Sequence, residues 1–117
     1  MATTYLMVKQ RVGDLEVNIG TGSDAVISEL ISGAQTIIDK STGNATGTFI
    51  DHSVADLAAA KLCDRAMATV IDGADISIGG MAISAKDLTT MATNFRNDVK
   101  ELLKGHGYDF KISKVND

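Results

Sequence analysis

Not one of the 117 residues is proline, while 11 are glycine. Proline breaks helices because it lacks an N–H and its ring clashes with the preceding turn, so here helices meet no such obstacle and glycine must end them. Aromatic residues are only 4% and tryptophan is absent, so the core must rest on Ile, Leu, Val, Ala and Met. The length accommodates one domain with a modest core and leaves no room for a second. Apolar residues at 44% and charged residues at 22% are ordinary globular usage, so the chain should fold.

Between glycines, the apolar residues fall into helical register. With Ser23 as N-cap and Asp24 in the first turn, Ile27, Leu30, Ile31, Ala34, Ile37 and Ile38 recur at i, i+3, i+4 and i+7. They predict a helix that stops at Gly43, a left-handed C′ residue. Asp51 or Ser53 is expected to cap a second helix running to about Asp72. Val54, Leu57, Ala58, Leu62, Ala66 and Val70 are joined there by Ala55, Ala59, Cys63, Met67 and Ile71, so more than half its circumference is apolar and it belongs between partners. A third helix begins near Ser84, whose hydroxyl and the carboxylate of Asp87 suit a capping box, and it ends at Gly105 and Gly107. Tyr5 to Val12 suits one or two further helical turns, and Leu15 to Ile19 a short extended piece within a glycine-rich loop.

The run Ile76-Ser77-Ile78-Gly79-Gly80-Met81-Ala82-Ile83 alternates about a Gly-Gly pair, which suits the positive φ of a two-residue hairpin turn. Pairing without slip sets Ile78 opposite Met81 and Ile76 opposite Ile83 on one face. In the last ten residues, Tyr108, Phe110 and Ile112 alternate with polar residues, the pattern of a strand with one apolar face. The expected fold class is therefore mainly α: a small bundle of three main helices with a short β-hairpin at about 76–83 and an extended C-terminal tail. The domain division is 1–107 for the helical body and 108–117 for the tail. The expected core is Ile27, Leu30, Ile31, Ile38, Leu62, Ala66, Val70, Leu88, Met91, Phe95 and Leu102, with Leu30→Ala costing about 2–5 kcal/mol. A hairpin this small must lean on something, and a strand can dock on a sheet edge. Ile76, Ile78, Met81, Ile83, Tyr108, Phe110 and Ile112 are accordingly the candidate protein-interface residues, with the tail expected to order on a partner; the alternative is a strand folded back on its own domain.

Chemistry is harder to find. His52 and His106 lack the one-turn His or Glu-x-x-His neighbours of a helical metal site and read as surface residues. Cys63 lies on an alanine-rich apolar helix, as a small buried hydrophobe would. Gly20-Thr21-Gly22-Ser23 lacks the third glycine and the lysine of a phosphate-binding loop, and Asn44-Ala45-Thr46 is a coincidental glycosylation match. No catalytic, cofactor-binding or metal-ligating residue is assigned. The single cysteine excludes an internal disulfide, and the N-terminus carries no signal-peptide pattern, so synthesis in the cytoplasm follows. No uninterrupted apolar run of about 18 residues marks a membrane span. A net charge of −4 with dispersed basic residues disfavours a duplex-binding surface, because phosphate affinity comes from Lys and Arg displacing counterions.

The order of elements resembles that of tailed-phage head-tail connector (adaptor, or head-completion) proteins. The resemblance rests on the helix SDAVISELISGAQTIIDKSTG with its acidic start and Ile-Ile-Asp-x-x-Thr-Gly ending, the alanine-rich VADLAAAKLCDRAMATVI, the short ISIGGMAIS element and a closing helix, spanning Ser23 to Gly107. The chain departs from many members in lacking proline and tryptophan between helices. What the resemblance implies is a structural virion protein without enzymatic activity or cofactor, located in the neck. It would form a ring, commonly dodecameric, joining the portal protein to a tail-proximal connector or stopper protein. The genome DNA would pass through its channel without sequence-specific binding. The alternative is a small cytoplasmic helical enzyme or regulatory protein whose site does not show as a cluster in sequence.

Overall fold

The structure is a computed structural model that describes residues 5–12, 15–17, 24–71, 76–78, 81–82, 84–108 and 110. It is mainly helical, with α1 (Tyr5–Val12), β1 (Leu15–Val17), α2 (Asp24–Thr42), α3 (Thr48–Ile71), β2 (Ile76–Ile78), β3 (Met81–Ala82) and α4 (Ala85–Gly105). The body measures 41 × 25 × 20 Å.

Helix α3 is the hub. It packs on α4, α2 and α1, and Val54, Ala55, Leu57, Ala58, Ala59, Ala60, Leu62, Cys63 and Ala66 are each at most 1% exposed. The all-round apolar pattern thus found partners on each side, as its periodicity required. The buried alanines add little bulk between α3 and its neighbours, while Leu57 and Leu62 are among the largest fully buried side chains. Ile27 and Ile38 of α2 and Leu88, Val99 and Leu103 of α4 close the same cluster.

The helix ends carry their own reasons. Gly43, at φ 66°, is the left-handed residue that ends α2, and the Asn44 N–H bonds back to the Asp39 carbonyl at 3.0 Å. Ser84 caps α4: its hydroxyl accepts from the Asp87 N–H at 3.1 Å, and the Asp87 carboxylate accepts from the Ser84 N–H at 3.4 Å. At the other end, Gly107 (φ 88°) donates to the Lys104 carbonyl at 3.0 Å and Tyr108 to that of Leu103 at 2.9 Å, a Schellman closure.

Two expectations are corrected. Helix α3 starts at Thr48, before Asp51 and Ser53, with the Gly47 carbonyl accepting from Ile50 and Asp51; Ser53 is interior and donates to the Phe49 carbonyl at 2.8 Å. Leu30, Ile31, Met91 and Phe95 are half-buried against the core instead of within it, and Leu102 is half-buried as well. A stripe read from sequence places residues on a face but does not say how far the neighbouring helix extends over its edges. The side chain of Val70 lies outside the described residues.

β1, β2 and β3 form an antiparallel sheet in that order, with Leu15 opposite Ile78, Val17 opposite Ile76, and Ile78 opposite Met81. The turn expected at Gly79 and Gly80 lies outside the described residues, as does Ile83.

Candidate interaction surfaces

Of the seven residues singled out as a protein interface, the five that are described fall in two regions. Ile76 and Ile78 stand on β2, the middle strand of the sheet, and Met81 stands on β3 at its edge. β2 approaches α3 and so ties the sheet to the hub. β1 and β3 each leave one row of backbone donors and acceptors without a strand partner among the described residues, which is the geometry strand addition requires. β1 was read only as an extended piece. Its pairing with β2 joins segments about 60 positions apart, for which no local signal exists.

At Tyr108 and Phe110 the C-terminal group takes the fold-back alternative. Phe110 is 4% exposed and belongs to the core cluster, and Tyr108 is half-buried against it. The Schellman bonds at Leu103 and Lys104 reverse the chain after α4, so both side chains return to the body they were expected to leave. Phe49 of α3 stacks on His106 at a centroid distance of 3.8 Å and 12° between planes, and on Tyr108 at 6.1 Å and 14°. The apolar face of the tail is therefore filled from within at Tyr108 and Phe110, and Ile112 lies outside the described residues. Beside this fold-back an open recess of about 340 Å³ is lined by Lys100, Lys104, Gly107, Tyr108 and Phe110. Its described lining thus pairs two lysines one helical turn apart with two aromatic side chains, and its open shape suits a surface contact more than an enclosed ligand.

Two polar links between helices escaped the sequence reading. Arg11 of α1 forms an ion pair through Nε with Asp56 of α3, donates from Nη1 to the Met7 carbonyl at 2.9 Å, and meets His52 Nδ1 from Nη2 at 2.9 Å. Burial pushes the Asp56 carboxyl above its ordinary range; the Arg11 guanidinium opposes that rise, and the Asp98 charge adds to it. Desolvation therefore outweighs the ion pair, which is the usual fate of a carboxylate largely removed from water. On the other side of the hub, Arg96 of α4 pairs with Asp64 of α3. An Arg and an Asp 45 and 32 positions apart look like ordinary surface residues in sequence.

Cys63 is fully buried, and its thiol is pushed up to about 12, first by burial and then by the Asp64 charge. A thiol held that high is protonated at neutral pH and is a poor nucleophile. Among the described residues no group of three or more His, Cys, Asp or Glu is placed to hold a metal ion, and no helix is long and apolar enough to cross a membrane. Compared with protein-family models, with curated proteins and with solved structures, the chain finds no match.

Proposed function

We propose that the chain is a structural virion protein of the head-tail connector kind: a subunit of a ring that joins a portal protein to a tail-proximal protein and continues the DNA channel. The observation that carries the reading is the way one alanine-rich helix, α3, gathers α1, α2 and α4 around itself. That arrangement keeps the element order on which the resemblance rests and places the buried area around one hub. A body gathered in this way suits work that is geometric, namely holding neighbours at fixed angles. The edges of β1 and β3, which have no strand partner among the described residues, supply a means of reaching a neighbour by strand addition. The net charge of −4 favours a wall past which DNA slides, since phosphate is held by clustered Lys and Arg.

The test is to mix the purified chain with portal rings encoded beside it and to image the mixture by negative stain. An added layer of density on one end of the portal, absent from portal alone, is the expected result. Portal particles unchanged at saturating concentrations of the chain would refute the proposal.

A further inference from the structure

Helix α2 carries a glycine its own fold does not use. Gly33 lies mid-helix and exposed, and a Cβ added there would meet no described atom within 4 Å. A glycine in a helix interior costs roughly 1 kcal/mol against alanine, and no described residue fills the space beside this one.

The residues around that notch set what can fill it. At 100° per residue Gly33 centres a strip distinct from the core-facing stripe of Ile27, Ala34 and Ile38. On one flank of it lie Leu30 and Ile37, both half-buried, so that part of each still meets water. On the other flank lie Glu29 and Lys40, both exposed and neither with an ion-pair partner among the described residues. One edge of the strip is apolar and the other carries one charge of each sign.

We infer that this strip pairs with the same strip of a second copy, with the two α2 helices antiparallel and crossing at Gly33. In an antiparallel pair related by a two-fold axis, each flank meets the same flank of the other helix; in a parallel pair it meets the opposite one. Only the antiparallel arrangement sets apolar edge on apolar edge and charged edge on charged edge. The axial spacing agrees. At about 1.5 Å per residue, Glu29 lies about 6 Å to one side of Gly33 and the Lys40 of the second copy about 10.5 Å to that same side, within reach of two long side chains. Leu30, at about 4.5 Å, then sits beside the second copy's Ile37, at about 6 Å. Both pairs occur twice by symmetry, and the two glycines let the helix axes approach where they cross. This pairing does not rest on the ring reading, because a two-fold contact closes at two copies and is complete without a portal.

Sedimentation equilibrium of the full chain, with circular dichroism melts alongside, tests the inference. Wild type is expected to be a dimer that dissociates on dilution. Gly33→Leu, which fills the notch and is a better helix former, should be monomeric while melting at the same or a higher temperature. Glu29→Lys should weaken the dimer by about tenfold or more, and Glu29→Lys combined with Lys40→Glu should restore it, since the double variant merely exchanges the signs. A wild-type chain that stays monomeric to about 0.1 mM, where a specific contact of this kind would be populated, overturns the inference. So does a Gly33→Leu chain that dimerises as wild type, or a double variant no tighter than Glu29→Lys alone.

Discussion

Asp56 meets Arg11 across the contact between α1 and α3, yet burial holds its carboxyl above the usual range. The consequence for stability has an unusual sign. A carboxylate whose folded value is depressed stabilises the fold at neutral pH; here the folded value is raised, so the folded state takes up a proton before the unfolded chain does. This group's contribution therefore grows as pH falls from neutrality through its folded value, and is complete below 3.8, its value in the absence of the fold. Urea denaturation of wild type and Asp56→Asn between neutral pH and pH 3.8 checks it: wild type should gain on the variant steadily as the solution is acidified. A gap that moves the other way would mean that the ion pair outweighs desolvation. Removing Arg11 instead takes away the opposing cation, so in Arg11→Met the Asp56 carboxyl should rise further, readable in its side-chain carboxyl NMR titration.

Among the elements, α3 and α4 differ in what holds them. α3 is held by packing, so Leu62→Ala, at a fully buried position, should cost about 2–5 kcal/mol, whereas the half-buried Leu30→Ala should cost less than about 2 kcal/mol. Denaturant midpoints of the two variants at equal slope give the comparison. α4 begins in a capping box on an exposed turn, where packing contributes little. Ser84→Ala should lower stability by about 1 kcal/mol, and Ser84→Asp, which retains an acceptor beside the helix N-terminus, should recover most of it. Both helices were legible because their signals are local. Ser84 and Asp87 are three residues apart, and the stripe Leu88, Val99, Leu103 repeats at the helical period. The start of α3 was misplaced for the same reason: Asp51 and Ser53 are good caps by type, but Gly47 offers its backbone carbonyl, which every residue carries.

For the whole molecule, the relations that tie distant segments were those sequence could not supply. Arg11 with Asp56, Phe49 with His106 and Leu15 with Ile78 each join residues whose neighbours along the chain carry no trace of the other. The candidate interface fared likewise. The alternation of Tyr108 and Phe110 announced an apolar face, but a strand is satisfied equally by its own core or by a partner's, and only the Schellman bonds after Gly107 decide for its own. Phe110→Ala should accordingly cost about 3 kcal/mol in chemical denaturation, a loss that a free tail would not show. The central place of α3 has a further consequence, in time. Every other helix touches α3, while α1 and α4 share little with each other, so a peripheral helix can open alone but α3 can open only when all its neighbours have left. In deuterated solvent the amides from Val54 to Ala66 should then exchange at one common rate set by global unfolding, and those of α1 should exchange earlier through local opening.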